Sequence, residues 1–310
     1  MLGFFHNRNR APKDEGVVVP ERSAPRSSRP DWRSYDVVAP DWERVGNPQT
    51  EPAARDLIEL ASLREGGRLL DVGAGTGLLV ELAGAALGTG GLAVGVDASI
   101  EMVVQGHEVR PAARLAAANA IDLPFRESTF DVVTANFVIF HFPQYDTALF
   151  DMIRVLKTGG RLAVSTWGPG DDEFTKAWNE LAFEAVGEEI LQSAYAEVMP
   201  HRAKFSDKRA LEQTLRDMGL HPVRVEARQY KLGLSREDYL EGRAGSVSGR
   251  FIRDMLGEDG WTSFCERARA VFTERFPDRL TDFRDVLLAV GTKAADGLQQ
   301  EDSQGLAHRT

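Results

Sequence analysis

The sequence predicts an α/β fold, a mostly parallel sheet of seven strands with helices on both faces. Three observations carry that expectation. Apolar runs alternate with amphipathic stretches over residues 31–169, the rhythm of parallel strands covered on both sides. The first run, Leu69-Leu70-Asp71-Val72, breaks into Gly73-Ala74-Gly75-Thr76-Gly77 and then enters a helical stretch. The next run, Leu92-Ala93-Val94-Gly95-Val96-Asp97, ends on an acid.

Taken in order, a helix is expected at 50–63, before the first strand at 68–72. The glycine loop opens a helix at 77–87. A strand at 92–97, a helix at 99–108 and a strand at 113–117 follow. Phe130-Asp131-Val132-Val133-Thr134-Ala135 is a buried strand that runs into the polar Asn136. Tyr145 to Leu156 is helical, and Lys157-Thr158-Gly159-Gly160 links it to a strand at 161–166. Ser206-Asp207 start a helix that Gly219 ends. His221 to Lys231 alternates as a strand, and Phe283 to Thr292 forms the last one.

Two stretches fall outside this sheet, 170–205 and 233–280, before and after the sixth strand. Both read as helical, with aromatics at helical spacing (Phe174, Trp178, Phe183; Phe264, Phe272, Phe276). Such stripes are core first and ligand contacts second. The remaining sheet is assigned to 206–232 and 281–294. Residues 1–30, rich in Arg, Pro and Ser, and residues 295–310 show no periodicity and are expected to be disordered tails.

Composition narrows the classes of function. A chain of 310 residues with 43% hydrophobic residues can bury a full core. A formal charge of −10 disfavours a nucleic-acid partner, which calls for a basic footprint. The single cysteine, Cys265, excludes an intrachain disulfide. No signal-peptide core or membrane span is visible, so the expected location is the cytoplasm. No Cys/His cluster suggests a metal.

The glycine loop and the strand-end acid have separable tasks. Glycines let the chain turn sharply and let a ligand touch the backbone, while free N–H groups at the next helix start face polar ligand atoms. Asp97 can accept hydrogen bonds from two ribose hydroxyls. Together they describe a nucleoside-cofactor site.

At "LLDVGAGTG", "VGVDAS", "LPFRESTFDVV" and "RVLKTGGRLAVSTWG" the chain resembles the class I S-adenosylmethionine-dependent methyltransferases. The small-molecule branch with the ubiquinone/menaquinone-type enzymes is the nearest resemblance, firm over about residues 31–168. It implies a Rossmann-like sheet whose final strand is antiparallel, with the two insertions as a helical cap that selects the substrate. It also implies S-adenosylmethionine as cofactor. Asp71 and the backbone of Gly73, Ala74, Gly75 and Gly77 would hold the amino-acid tail and the sugar side, and Asp97 the ribose. Ala98 and Met102 follow Asp97, and Met102 is either an adenine contact or core. Asn119 stands where relatives commonly carry Asp, and it would meet the exocyclic amine as a neutral acceptor; Ala120 and Ile121 follow with their backbone N–H groups. Asn136, at the end of the fourth strand, completes the cofactor set.

Two residues are candidates for catalysis. His141 follows the fourth strand and titrates near neutrality, which makes it the best base, with packing or capping as the other reading. Tyr35, in the Tyr35-Asp36-Val37-Val38-Ala39 element, resembles a family segment that folds back over the cofactor, as does Trp42. Tyr195 and His201 are weaker candidates in the first insertion. The motif Ala135-Asn136-Phe137-Val138 lacks the Asn/Asp-Pro-Pro-Tyr grip on a planar amine, so the expected acceptor is a small, partly apolar molecule. The alternatives are a cofactor-binding module or cyclase on the same fold, and a nicotinamide oxidoreductase. The GxGxG spacing with Asp71 ahead of it argues against the last.

Overall fold

The computed structural model describes residues 31–294; the two expected tails lie outside the described residues. A 3-10 turn (Tyr35–Val38) leads into helices α1 (Ala39–Val45) and α2 (Asn47–Ala61). The chain then alternates through β1 (Arg68–Val72), α3 (Leu78–Leu87), β2 (Leu92–Asp97), α4 (Ile100–Val109) and β3 (Leu115–Ala117). Strand β4 (Phe130–Asn136), α5 (Tyr145–Val155) and β5 (Leu156–Trp167) follow. Helices α6 (Glu173–Val186), α7 (Glu188–Val198), α8 (Arg202–Ser206) and α9 (Lys208–Asp217) lead to β6 (Leu220–Ser235). Helices α10 (Arg236–Ala244) and α11 (Val247–Arg275, broken at Gly257) and strand β7 (Arg279–Lys293) close the fold.

Local chemistry sets several of these boundaries. Ser99 caps α4 by accepting from the Met102 N–H, and Asp172 caps α6 by accepting from that of Thr175. Asp207 accepts from the Ala210 N–H and caps α9, while Ser206 belongs to the preceding short helix. Gly219, at φ 82°, ends that segment in the left-handed region as its lack of a Cβ permits.

The sheet runs β3-β2-β1-β4-β5-β7-β6. Strands β3 to β5 are mutually parallel, and β7 lies antiparallel to both β5 and β6. The chain moves outward from β1 through β2 to β3, then returns to β4 on the other side of β1. The strand ends at β1 and β4 therefore flank the switch point, where ligands of such sheets bind. Leu57 of α2 and Leu149 and Met152 of α5, all fully buried, cover sheet residues such as Leu69, Leu70, Val133 and Val164.

The closing hairpin corrects the expected boundaries. Pairing continues through Leu232↔Asp282, Leu234↔Leu280 and Ser235↔Arg279, so residues 233–235 and 279–280 are strand, not helical insertion. The physical reason is that Leu234 and Leu280 are drawn into a second apolar cluster, which extends the two-residue alternation past the main sheet. Strand β5 likewise begins at Leu156 and takes in the expected Lys157–Gly160 link, with Gly159 at φ 75°.

That second cluster joins α6, α7, α10 and α11 to the outer ends of β6 and β7. Phe174, Trp178, Phe264 and Phe272 are buried in it, and Phe183 and Phe276 pack on its margin, so the aromatic stripes are core. Among the described residues no helix is long and apolar enough to cross a membrane.

Candidate active site

The loop after β1 is held open by glycine geometry. Gly73, Gly75 and Gly77 have φ of 75°, 55° and 89°, a region where a side chain is strained. A Cβ on Gly73 would stand 2.5 Å from Cγ2 of Val138, so this glycine lets the loop meet the turn after β4. The N–H groups of Gly73 and Ala74 donate to the Val96 carbonyl at 2.8 and 3.0 Å, which ties the loop to β2.

Asp97, at the end of β2, accepts from the Gly75 N–H (2.7 Å) at Oδ2 and from the Ser99 N–H (2.9 Å) at Oδ1. Burial raises its pKa, opposed by these backbone bonds. A carboxylate offers about four acceptor positions, so capacity is left beyond the chain's own bonds from Gly75, Ser99 and Ala98. Ala98, beside it, is exposed.

Asp71 is buried and pairs in register with Thr134, whose hydroxyl donates to its Oδ1 at 2.7 Å. Burial pushes Asp71 up to about 7, with Asp97 adding repulsion against the Thr134 bond. The folded acid thus holds its proton more tightly than the unfolded one. Its contribution to stability is full below the ordinary pKa of 3.8 and is lost as pH rises through about 7. A cationic cofactor near Asp71 is expected to expel a fraction of a proton at pH 7. Titration calorimetry in two buffers of different ionisation enthalpy should then report different apparent enthalpies, and Asp71→Asn should remove the difference. Equal enthalpies for the unaltered protein would overturn this.

The N-terminal element folds onto the same loop. Trp42 lies against the loop, its Nε1 3.4 Å from where a Cβ on Gly75 would stand. Met102 is 2% exposed in a cluster with Val38 and Ala39, so this element encloses it. The Ser99 hydroxyl donates to Asp36 at 2.5 Å. Glu43 of α1 accepts from Thr76 of the loop, from Asn47 (2.8 Å) and from Arg110 (2.5 Å). Burial works against ionisation of Glu43, but these bonds prevail and hold its carboxyl below the usual range. Sequence reading missed Glu43, Thr76 and Arg110, because no motif links residues so far apart in the chain.

Across the crevice, Tyr35 and His141 meet: the Tyr35 hydroxyl is 3.2 Å from His141 Nε2. His141 Nδ1 lies 2.8 Å from the Val198 carbonyl. A carbonyl only accepts, so Nδ1 carries the hydrogen and Nε2 is the free base to which the phenol donates. Burial pushes His141 down to about 4, the Val198 bond opposes this, and the charges of Arg250 and Arg202 add to the depression. Burial raises the Tyr35 phenol, which keeps its proton.

The turn expected to meet adenine follows β3, whose Ala117 pairs with Asp97. Asn119 is exposed, and its Oδ1 accepts from the Ile121 N–H at 3.2 Å. Ala120 is 7% exposed. From α5, Asp151 accepts from the Leu123 N–H and Arg154 donates to the Leu123 and Phe125 carbonyls, which braces the turn. Asn136 has its Oδ1 engaged by the Ser165 hydroxyl at 2.6 Å, beside Phe137 at φ 55°.

The structure therefore gathers Asp71, the glycine loop, Asp97, Ala98 and the Asn119–Ile121 turn at the ends of β1, β2 and β3. Tyr35 and His141 form a pair beside them. His201 faces the Pro143 carbonyl at 3.2 Å, and Tyr195 packs on the second apolar cluster. The arrangement fits a nucleoside sulfonium cofactor: two carboxyl groups, Asp71 and Asp97, stand near the ends of β1 and β2 beside a loop of three positive-φ glycines.

The profile of a family described as a methyltransferase domain matches residues 70–164. A ubiquinone/menaquinone biosynthesis C-methyltransferase of Stutzerimonas stutzeri is 35% identical over 136 residues, 42% of this chain and 53% of that protein. The match thus spans about half of that relative's length. A demethylmenaquinone methyltransferase of Renibacterium salmoninarum is 31% identical over 201 residues, 61% of this chain and 83% of the relative. Among solved structures, the YcgJ protein of Bacillus subtilis aligns with a TM-score of 0.50 at 21% identity, covering 79% of this chain and 99% of that one. At that identity the likeness concerns the fold.

Proposed function

This chain belongs to the S-adenosylmethionine-dependent methyltransferase family that includes the ubiquinone/menaquinone C-methyltransferases, and we propose that it methylates a small, partly apolar molecule. The observation that carries the reading is the Tyr35–His141 pair at the ends of the cofactor strands, 106 residues apart in the chain.

We assign the cofactor's ribose to Asp97, its amino-acid tail to Asp71 and the Gly73–Gly77 backbone, and its adenine to the Asn119–Ile121 turn. When bound, S-adenosylmethionine supplies a methyl carbon activated by a positive sulfonium. The protein's own work is to orient the acceptor, exclude water and take a proton. Phe137, stacked on Trp167 at 4.1 Å, and Phe140 beside His141 belong to the buried core behind the pair. Trp42 and Glu43 close the N-terminal element over the glycine loop and shield it from solvent.

His141 Nε2 is the proton acceptor, reached through the Tyr35 hydroxyl. A base whose pKa lies near 4 removes little proton from a resting hydroxyl. The acceptor's proton becomes far more acidic as the new bond to carbon forms, so a weak, neutral base suffices if it acts in that same step. Val198 keeps the imidazole in the tautomer that this requires.

The test is release of S-adenosylhomocysteine when the purified protein is given S-adenosylmethionine and a panel of hydroxylated aromatic acceptors. Product that depends on acceptor supports methyl transfer. Tight cofactor binding with no turnover across a broad panel would instead indicate a binding module.

A further inference from the structure

Two arginines, the buried Arg250 and the half-buried Arg202, stand near the Tyr35–His141 pair without the carboxylates that many arginines of this protein find. Arg216, Arg228 and Arg253 each hold an acid at 2.6 to 2.8 Å. Arg250 of α11 is 7% exposed; its Nε bonds to the Trp32 carbonyl (2.7 Å) and its Nη1 to that of Gly245 (2.7 Å), and its side chain also interacts with that of Tyr35. Its Nη2 is buried and has no hydrogen-bond partner among the described residues. The guanidinium carbon stands 4.9 Å from the centre of the Tyr35 ring. Arg202 repeats the pattern, with Nη1 on the Trp167 carbonyl (2.9 Å) and its guanidinium 5.9 Å from the Phe140 ring.

A buried cation with an orphaned donor is costly unless an anion completes it. Buried donors without partners call for an explanation, and a ligand atom is one. The placement beside the proton acceptor favours the substrate as that ligand. Tyr35 lies between the two functions, its ring 4.9 Å from the guanidinium of Arg250 and 5.3 Å from the ring of His141.

We propose that the methyl acceptor is an aromatic carboxylic acid, its carboxylate held by Nη2 of Arg250 beside the Tyr35–His141 pair. The inference rests on the methyltransferase reading. Nη2 carries two N–H donors with no hydrogen-bond partner among the described residues, while Nε and Nη1 are engaged, which suits an anionic acceptor such as a carboxylate. Arg202 adds positive potential on the His141 side and draws the same anion in. Arg250 then acts as a specificity-determining residue, and its contribution belongs to acceptor binding.

The full-length protein saturated with S-adenosylhomocysteine is titrated with 4-hydroxybenzoate, 4-hydroxybenzamide and 4-hydroxyphenyl phosphate, and binding of the homocysteine cofactor product is measured in the same samples. The expected result is that the carboxylate binds at least about tenfold more tightly than the amide, the value of one charge-assisted hydrogen bond. Arg250→Gln should erase that preference while leaving cofactor binding intact; Arg202→Gln should reduce it. The comparison of acid with amide in the unaltered protein needs no variant to fold. Equal binding of acid and amide, with cofactor binding intact, overturns the proposal and leaves the methyltransferase reading standing, Nη2 then being a water site. A preference for the phosphate overturns the carboxylate assignment. Failure to bind S-adenosylhomocysteine overturns the reading beneath both.

Discussion

His141→Ala is expected to lower kcat by about 10²- to 10⁴-fold, the usual worth of a positioned general base, while the affinity for S-adenosylmethionine changes little. The substitution removes the ring nitrogen that lies 3.2 Å from the Tyr35 hydroxyl, and it leaves the Gly73–Gly77 loop and Asp97 untouched. Tyr35→Phe is the informative companion, because it keeps the ring against Trp42 and removes the hydroxyl that reaches Nε2. Both variants losing kcat, with acceptor binding retained, supports a relay through the phenol. A His141→Ala enzyme at full rate would mean that the acceptor brings no proton to be removed. The pH dependence has a definite sign. In the fold His141 is pushed down to about 4, below its ordinary 6.5, so it is neutral throughout the physiological range. Its part in kcat should be level above about pH 5 and disappear as pH falls through about 4, where Nε2 gains a proton. Its part in stability is complete above 6.5 and declines as pH falls from there toward 4, because the unfolded chain takes up the proton first.

Asp97→Ala is expected to weaken S-adenosylmethionine and S-adenosylhomocysteine binding by about 10²- to 10³-fold, or about 3–4 kcal/mol, from two charge-assisted hydrogen bonds to the ribose. Part of the loss comes from the chain itself. Without the carboxylate, the N–H groups of Gly75 and Ser99 lose their acceptor, and the glycine loop loses one tie to the start of α4. Asp97→Asn separates the two contributions, since its one amide oxygen can keep a backbone partner while giving up charge and half of the acceptor capacity. An intermediate loss for Asn is the expected order. Calorimetry on each variant, with thermal unfolding of the cofactor-free protein alongside, makes the measurement. A change of less than about tenfold for Ala would remove Asp97 from the cofactor site.

The two halves of the site were unequally legible in the amino-acid sequence. Asp71, Gly73, Gly75, Gly77 and Asp97 stand within or just after apolar runs, and the ends of such runs are where a parallel sheet presents its ligands. The strands and helices themselves were legible for the same reason, because each announces itself through its own period, whereas the order of strands in the sheet came from the tertiary structure. The outer ends of β6 and β7 were not. Gly233 and the polar Asp282 interrupt the alternation there, and only the packing of Leu234 and Leu280 in the second cluster shows that pairing continues. His141 and Tyr35 were named as candidates separately, and nothing in either segment announces that one hydroxyl faces the other imidazole.

The sequence by itself determined the parallel sheet, the glycine loop and the acids beside it, because these depend on side-chain periodicity and on backbone freedom within a few residues. Tertiary structure alone decided which groups share the crevice. Glu43 reaches Thr76 and Arg110, Tyr35 reaches His141, and Arg250 reaches back to Trp32 across 218 residues of chain. Such contacts satisfy buried donors and charges with whatever the packed elements bring near. Their energy depends on distance in space, and no window of sequence records it.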